Sequence, residues 1–168
     1  MTPWVLGVAF LAAVPLLGSA QAGAPSDCPT GKPVKVLPSV IPAIGQSPFW
    51  AATGGKPIAW GGPGEPVRVL WLRDVAVKGA VLLSGKARTG TAKPTFAASM
   101  YGNRELRFKL DGLGDKPKGV KDADLLKYAF HWTFVWFPEA GCYEIAARVG
   151  SQQSLIYFDV VSSGKKTT

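Results

Sequence analysis

Phe137-Pro138-Glu139-Ala140-Gly141-Cys142-Tyr143-Glu144-Ile145 places a proline and a glycine three residues apart, immediately before a run that alternates apolar and polar side chains. Proline fixes φ, and glycine admits backbone that other residues avoid, so the chain turns a sharp corner here. The corner delivers it into a strand over residues 142–149. The turn Gly150-Ser151-Gln152-Gln153 follows, and a second apolar run over 155–161 completes a hairpin. Residues 128–137, before the corner, are dense in aromatic and β-branched side chains and read as the strongest strand of the chain.

Further toward the N-terminus, Leu106-Arg107-Phe108-Lys109-Leu110 alternates with cations on one face, as a strand with one wet side does. Residues 67–73 alternate likewise, with Val67, Val69 and Trp71 together, and 80–86 form another run. Ile58-Ala59-Trp60 lies between two glycine-rich loops, and 122–126 have room for one helical turn. About seven strands result, with no helical pattern of 10–15 residues between them, which suits an antiparallel β-sandwich better than an α/β architecture. A tyrosine directly after a corner is also how late strands of immunoglobulin-like domains begin. The expected fold is all-β: an immunoglobulin-like antiparallel β-sandwich over residues 47–162. An extended Pro-rich N-terminal arm (23–46) precedes it and a frayed tail (163–168) follows.

Residues 1–22 are set apart from the fold. Residues 5–17 are almost unbroken apolar sequence, too short to span a bilayer comfortably, and Ala20-Gln21-Ala22 has the small residues a signal peptidase requires. Cleavage is expected after Ala22, giving a secreted or periplasmic protein with no membrane span. No Lys or Arg precedes the apolar run, and a retained anchor is the competing reading. Export bears on the cysteines. An even pair, Cys28 and Cys142, in an oxidising compartment most simply forms one disulfide; the alternative is two free thiols.

With 19 basic and 11 acidic residues, the chain carries a net charge of +8. Such a balance favours anionic surfaces, but the basic residues are scattered, and the densest group is Lys116-Pro117-Lys118-Gly119-Val120-Lys121. Solubility and generic adhesion are the expectation, ahead of a dedicated polyanion site, and no specific nucleic acid is expected.

In residues 128–137, Tyr128, Phe130, Trp132, Phe134 and Trp136 share one strand face; Ala129, His131, Thr133, Val135 and Phe137 share the other. In a two-layer sandwich both faces are not expected to be dry. Burial preference turns the aromatic stripe into the core. The opposite register sends Val135 and Phe137 inward and leaves Tyr128, Trp132, Phe134 and Trp136 as a platform for sugar rings or an apolar partner. The core placement is the leading expectation, and Phe137, which the motif puts at a corner where it is normally buried, is what keeps the second register as its alternative.

Reactive constellations do not assemble. His131 is the sole histidine, so a copper site, which needs two His and a Cys, is not expected, nor a zinc site with the paired cysteines. No Gly-x-Ser-x-Gly elbow accompanies His131, and Gly61-Gly62-Pro63-Gly64 lacks the Lys-Ser/Thr of a phosphate loop. The carboxylate pairs Asp122/Asp124 and Glu139/Glu144 read as solvated charges rather than a glycosidase pair. No cofactor and no metal are expected, and the chain is read as not an enzyme.

Cys28-Pro29, the island Ser47-Pro48-Phe49-Trp50, Val81-Leu82-Leu83-Ser84-Gly85 and above all the motif from Phe137 to Glu144 resemble a family of uncharacterised secreted bacterial proteins with a C-terminal Phe-Pro-x-x-Gly-Cys-aromatic-Glu motif. Tyr143 stands where Trp is usual in that family. The corner is also similar to PKD-type domains, which mostly bind or space. The resemblance implies export and a structural corner made by Phe137, Pro138, Gly141 and Tyr143; it implies no activity. The expected function is a non-catalytic binding or structural module of the bacterial cell envelope, whose partner is an envelope or extracellular protein or a glycan. A carbohydrate or anionic-polymer binder is the alternative, and a secreted enzyme the second.

Overall fold

A computed structural model describes residues 27–38 and 40–163. The signal segment with its cleavage point, the first residues of the arm and the tail beyond Ser163 lie outside the described residues. The elements are β1 (Ala43–Gln46), β2 (Phe49–Ala52), β3 (Ile58–Trp60), β4 (Val67–Asp74), β5 (Val81–Ala87), β6 (Thr95–Ala97), β7 (Arg107–Leu110), α1 (Asp122–Leu125), β8 (Tyr128–Trp136), β9 (Gly141–Val149) and β10 (Gln152–Ser162). They form two five-stranded sheets, the first in the order β1-β2-β4-β8-β6 and the second in the order β3-β10-β9-β5-β7.

The all-β sandwich stands as expected, with three differences. Ten strands form among the described residues rather than about seven, because β1, β2 and β6 have only three or four residues. Runs that short carry too few alternations to register as a period. The β1 strand lies inside the stretch assigned to the arm, so the sandwich starts at Ala43, where buried Ala43 and Ile44 pair with Ala52 and Ala51. The sheets are also not wholly antiparallel: β3 runs parallel to β10, with Ile58 opposite Val160.

The corner behaves as the sequence indicates. The Tyr143 hydroxyl donates to the Glu139 carbonyl at 2.9 Å, and its fully buried ring packs on Phe137 with centroids 4.8 Å apart. A hydroxyl bonded back to the backbone a few residues upstream is similar to the tyrosine corner of immunoglobulin-like sandwiches, with Tyr143 following its cysteine here rather than preceding it. Cys142 beside it is bonded to Cys28, Cα to Cα 5.3 Å. The link ties the arm to β9 rather than joining the two sheets, as the antibody disulfide does.

Between the sheets, Val69 and Trp71 of β4, Val135 of β8 and Phe137 beyond it meet Tyr143, Ile145, Ile156 and Phe158. Trp71 stands edge-on to Phe158 and donates its indole N–H to Thr133 Oγ1 at 2.8 Å, which satisfies two buried polar groups at once. The strand β8 therefore takes the register that sends Val135 and Phe137 inward, and the aromatic stripe lies on the outer face of the first sheet. That face is nonetheless partly dry. Leu37 and Val40 of the arm, with Val120 of the loop before α1, cover Leu70, Leu72 and Phe130 in a second apolar cluster. The expectation that one face stays wet fails because arm and loop add a partial third layer. The loop is drawn in at Gly114, where the preceding Leu113 carbonyl accepts the Phe130 N–H at 2.9 Å. Gly114 has φ +66°, and a side chain there would collide with the Phe130 carbonyl.

Candidate functional site

Cations scattered along the sequence converge on the outer face of the second sheet. Antiparallel register sets Ala146 of β9 beside Ser84 of β5, and Ser84 beside Arg107 of β7. Small residues thus occupy the middle of the face. In the next row toward one end Arg148 stands beside Leu82; toward the other, Glu144 stands beside Lys86. The result is an open trough of ≈ 470 Å³, rimmed by Lys86, Lys93, Arg107 and Arg148 from four separate segments and bordered by Leu106 and Gln153. Arg148 Nε donates to Gln153 Oε1 at 2.5 Å, which orients its guanidinium.

Glu144 is the one acid lining the trough, and it is engaged. Lys86 Nζ lies 3.6 Å from one of its oxygens, and the Tyr157 hydroxyl donates to the other at 3.3 Å. The carboxylate offsets one of four cations and leaves a net positive trough. Like charges held on a common face sum to a positive potential that draws in and concentrates an incoming anion. None of these cations belongs to the 116–121 cluster, where Lys116 is tied to Asp122 at 2.5 Å and holds that exposed carboxyl below its ordinary range.

The aromatic residues named from the sequence are placed differently from a free platform. Tyr128, Trp132 and Phe134 are half-buried, and Trp136 is only 3% exposed. Arginine covers both indoles: Arg68 lies 4.1 Å from the Trp132 ring and Arg104 4.4 Å from the Trp136 ring. Tyr128 is met edge-on by Trp50. Cation–π stacking with about 0.5–1 kcal/mol per pair competes with any sugar ring for the same π-faces. The stripe is therefore a packed, arginine-capped surface.

A polar plug closes one end of the sandwich. Buried Arg73 donates from Nη1 to the carbonyls of Val77 and Gly79, and from Nη2 to that of Gly112 at 2.8 Å, joining two loops. His131 is buried alongside, its Nε2 without a hydrogen-bond partner. Burial first, and then the Arg73 charge, hold its pKa below the ordinary histidine value. The Nε of Arg73 is likewise buried without a hydrogen-bond partner, and the charges of Asp111 and Asp115 raise the His131 pKa by less than burial and Arg73 lower it. Among the described residues, no group of three or more His, Cys, Asp or Glu side chains is placed to hold a metal ion. No described helix is long and apolar enough to cross a membrane.

No family model matches the chain, and no curated protein or solved structure shows significant similarity to it. The sequence did mark Arg107 and Lys109 as the wet face of a strand. It gave no sign that Lys86 and Arg148 join Arg107, because only the pairing of β5, β7 and β9 brings them together, or that Lys93 enters from the segment between β5 and β6.

Proposed function

We propose that this chain is an exported, non-catalytic binding module of the bacterial cell envelope, and that its ligand surface is the basic trough of the second sheet. The observation that carries the reading is the convergence of Lys86, Lys93, Arg107 and Arg148 around a floor of small residues, with the single acid already paired. A surface kept only for solubility has no reason to gather like charges that repel one another. The Cys28–Cys142 bond ties the arm to β9, the Tyr143 hydroxyl braces the start of that strand, and a disulfide suits an oxidising compartment. The resemblance of the Phe137–Glu144 motif to secreted bacterial proteins supports export in the same sense.

Hydroxyl-radical footprinting of the protein mixed with a solubilised envelope fraction tests the surface. Protection is expected at Leu82, Leu106 and Tyr157, which flank the trough or share its face. Protection confined to Trp132 and Phe134 would move the site to the first sheet and overturn the assignment. Mass spectrometry of the protein recovered from the producing cells tests the address: the mature chain is expected to begin at Gly23.

A further inference from the structure

We infer that the trough takes an acidic polysaccharide, a linear chain bearing carboxylate or sulfate groups; the inference rests on the ligand surface assigned above. The first argument is spacing. With neighbouring strands about 4.8 Å apart and two-residue steps of about 6.8 Å, the Cα atoms of Arg107 and Lys86 lie about 8 Å apart and those of Arg107 and Arg148 about 12 Å apart. Drawing these heads to one small anion would bring like charges together. A polymer with repeating anions satisfies them where they stand.

Shape supplies the second argument. The site is concave, with its floor at Ser84 and Ala146 and cations on the rim. A planar bilayer surface reaches rim cations but leaves such a floor empty, whereas a single extended chain can lie in it. The third argument is chemical. Single-stranded nucleic acid needs exposed aromatic faces on which bases stack. None lines this trough, and the nearby Tyr157 is half-buried with its hydroxyl committed to Glu144. The neutral groups present, the Ser84 hydroxyl and the Gln153 amide, instead suit the hydroxyls of sugar rings.

Calorimetric titration of the purified protein with polygalacturonate and with dextran sulfate, at low and at high salt, tests the inference. Binding to at least one is expected, and it should weaken steeply with salt. The double variant Arg107→Gln/Arg148→Gln should lose about tenfold or more in affinity, on the order of a charge-assisted contact for each arginine. The variant Lys118→Gln/Lys121→Gln has the same net charge and should change by less than about threefold, the effect of long-range charge alone. All four positions are exposed, and matching thermal midpoints confirm intact folds. Tighter binding of oligothymidylate, polyglutamate or phosphatidylglycerol vesicles than of either polysaccharide, still lost in the arginine variant, overturns the polysaccharide and leaves the trough as ligand surface. Equal losses in both variants, or no binding to any of these polyanions, overturns the trough as well.

Discussion

Removing the sulfur link by Cys28→Ala/Cys142→Ala should destabilise the domain by about 3–5 kcal/mol. The bond closes a loop across a sequence separation of 114 residues. The chain-entropy relation then gives about 16 cal/mol/K, or about 5 kcal/mol at 25 °C, and observed effects usually fall somewhat below that relation. Both cysteines are half-buried, so truncation to alanine opens little cavity and the loop term dominates. The arm should remain docked in the variant. Val34 exchanges both backbone hydrogen bonds with Ala43, at 2.8 and 2.9 Å, and Leu37 and Val40 stay buried against the first sheet. Urea titration followed by tryptophan fluorescence measures the difference, and the reduced wild-type protein provides an independent route to the same state. A midpoint drop of about 15 °C in thermal scans is the corresponding signal for a domain of this size. A loss below about 1 kcal/mol, with the slope of the urea transition unchanged, would refute the loop-closure reasoning.

Stability should also depend on pH through His131. Its folded pKa lies below the unfolded value of about 6.5, so the unfolded chain takes up the proton first. Stability is then fully present above pH 6.5 and declines as pH falls through 6.5 toward the depressed folded value, by at most about 1.4 kcal/mol per pH unit. Urea midpoints from pH 7.5 to 5 should show this slope in the wild type and a flatter one in His131→Gln; identical slopes would assign the effect to other groups. Tyr143→Phe deletes the hydroxyl that satisfies the Glu139 carbonyl and should cost about 1–2 kcal/mol with the fold retained. Equilibrium unfolding checks it, and an unchanged midpoint would show that the corner is held by ring packing on Phe137 alone.

Local chemistry accounts for how much of the architecture was legible. The Pro138–Gly141 corner, the hairpin after it and the strands in 67–73 and 107–110 are each specified by residues close in sequence and form as read, except that Leu106, grouped by alternation with Phe108 and Leu110, lies outside the strand and is exposed at the trough. The helical turn at 122–126 also forms, as Asp122–Leu125. What escaped was short or context-dependent. The strands β1, β2 and β6 hold their places through partners distant in sequence, and β3 finds a parallel neighbour in β10 that no local pattern announces. The aromatic stripe was legible as one face of a strand, but which way it turned was not. Its register depends on whether something else covers the outer face, and here the arm and the 111–127 loop do so.

From residue types alone came a two-layer β architecture, a corner ahead of β9 and the pairing of the only two cysteines, since these follow from backbone preference, side-chain period and sulfur chemistry within short spans. Tertiary structure alone decided where the charge goes. Lys86, Lys93, Arg107 and Arg148 span 62 positions as an unremarkable scatter until β7, β5 and β9 lie side by side. Strand pairing places residues remote in sequence about 5 Å apart across a sheet, and that step converts a net charge into a surface with a shape.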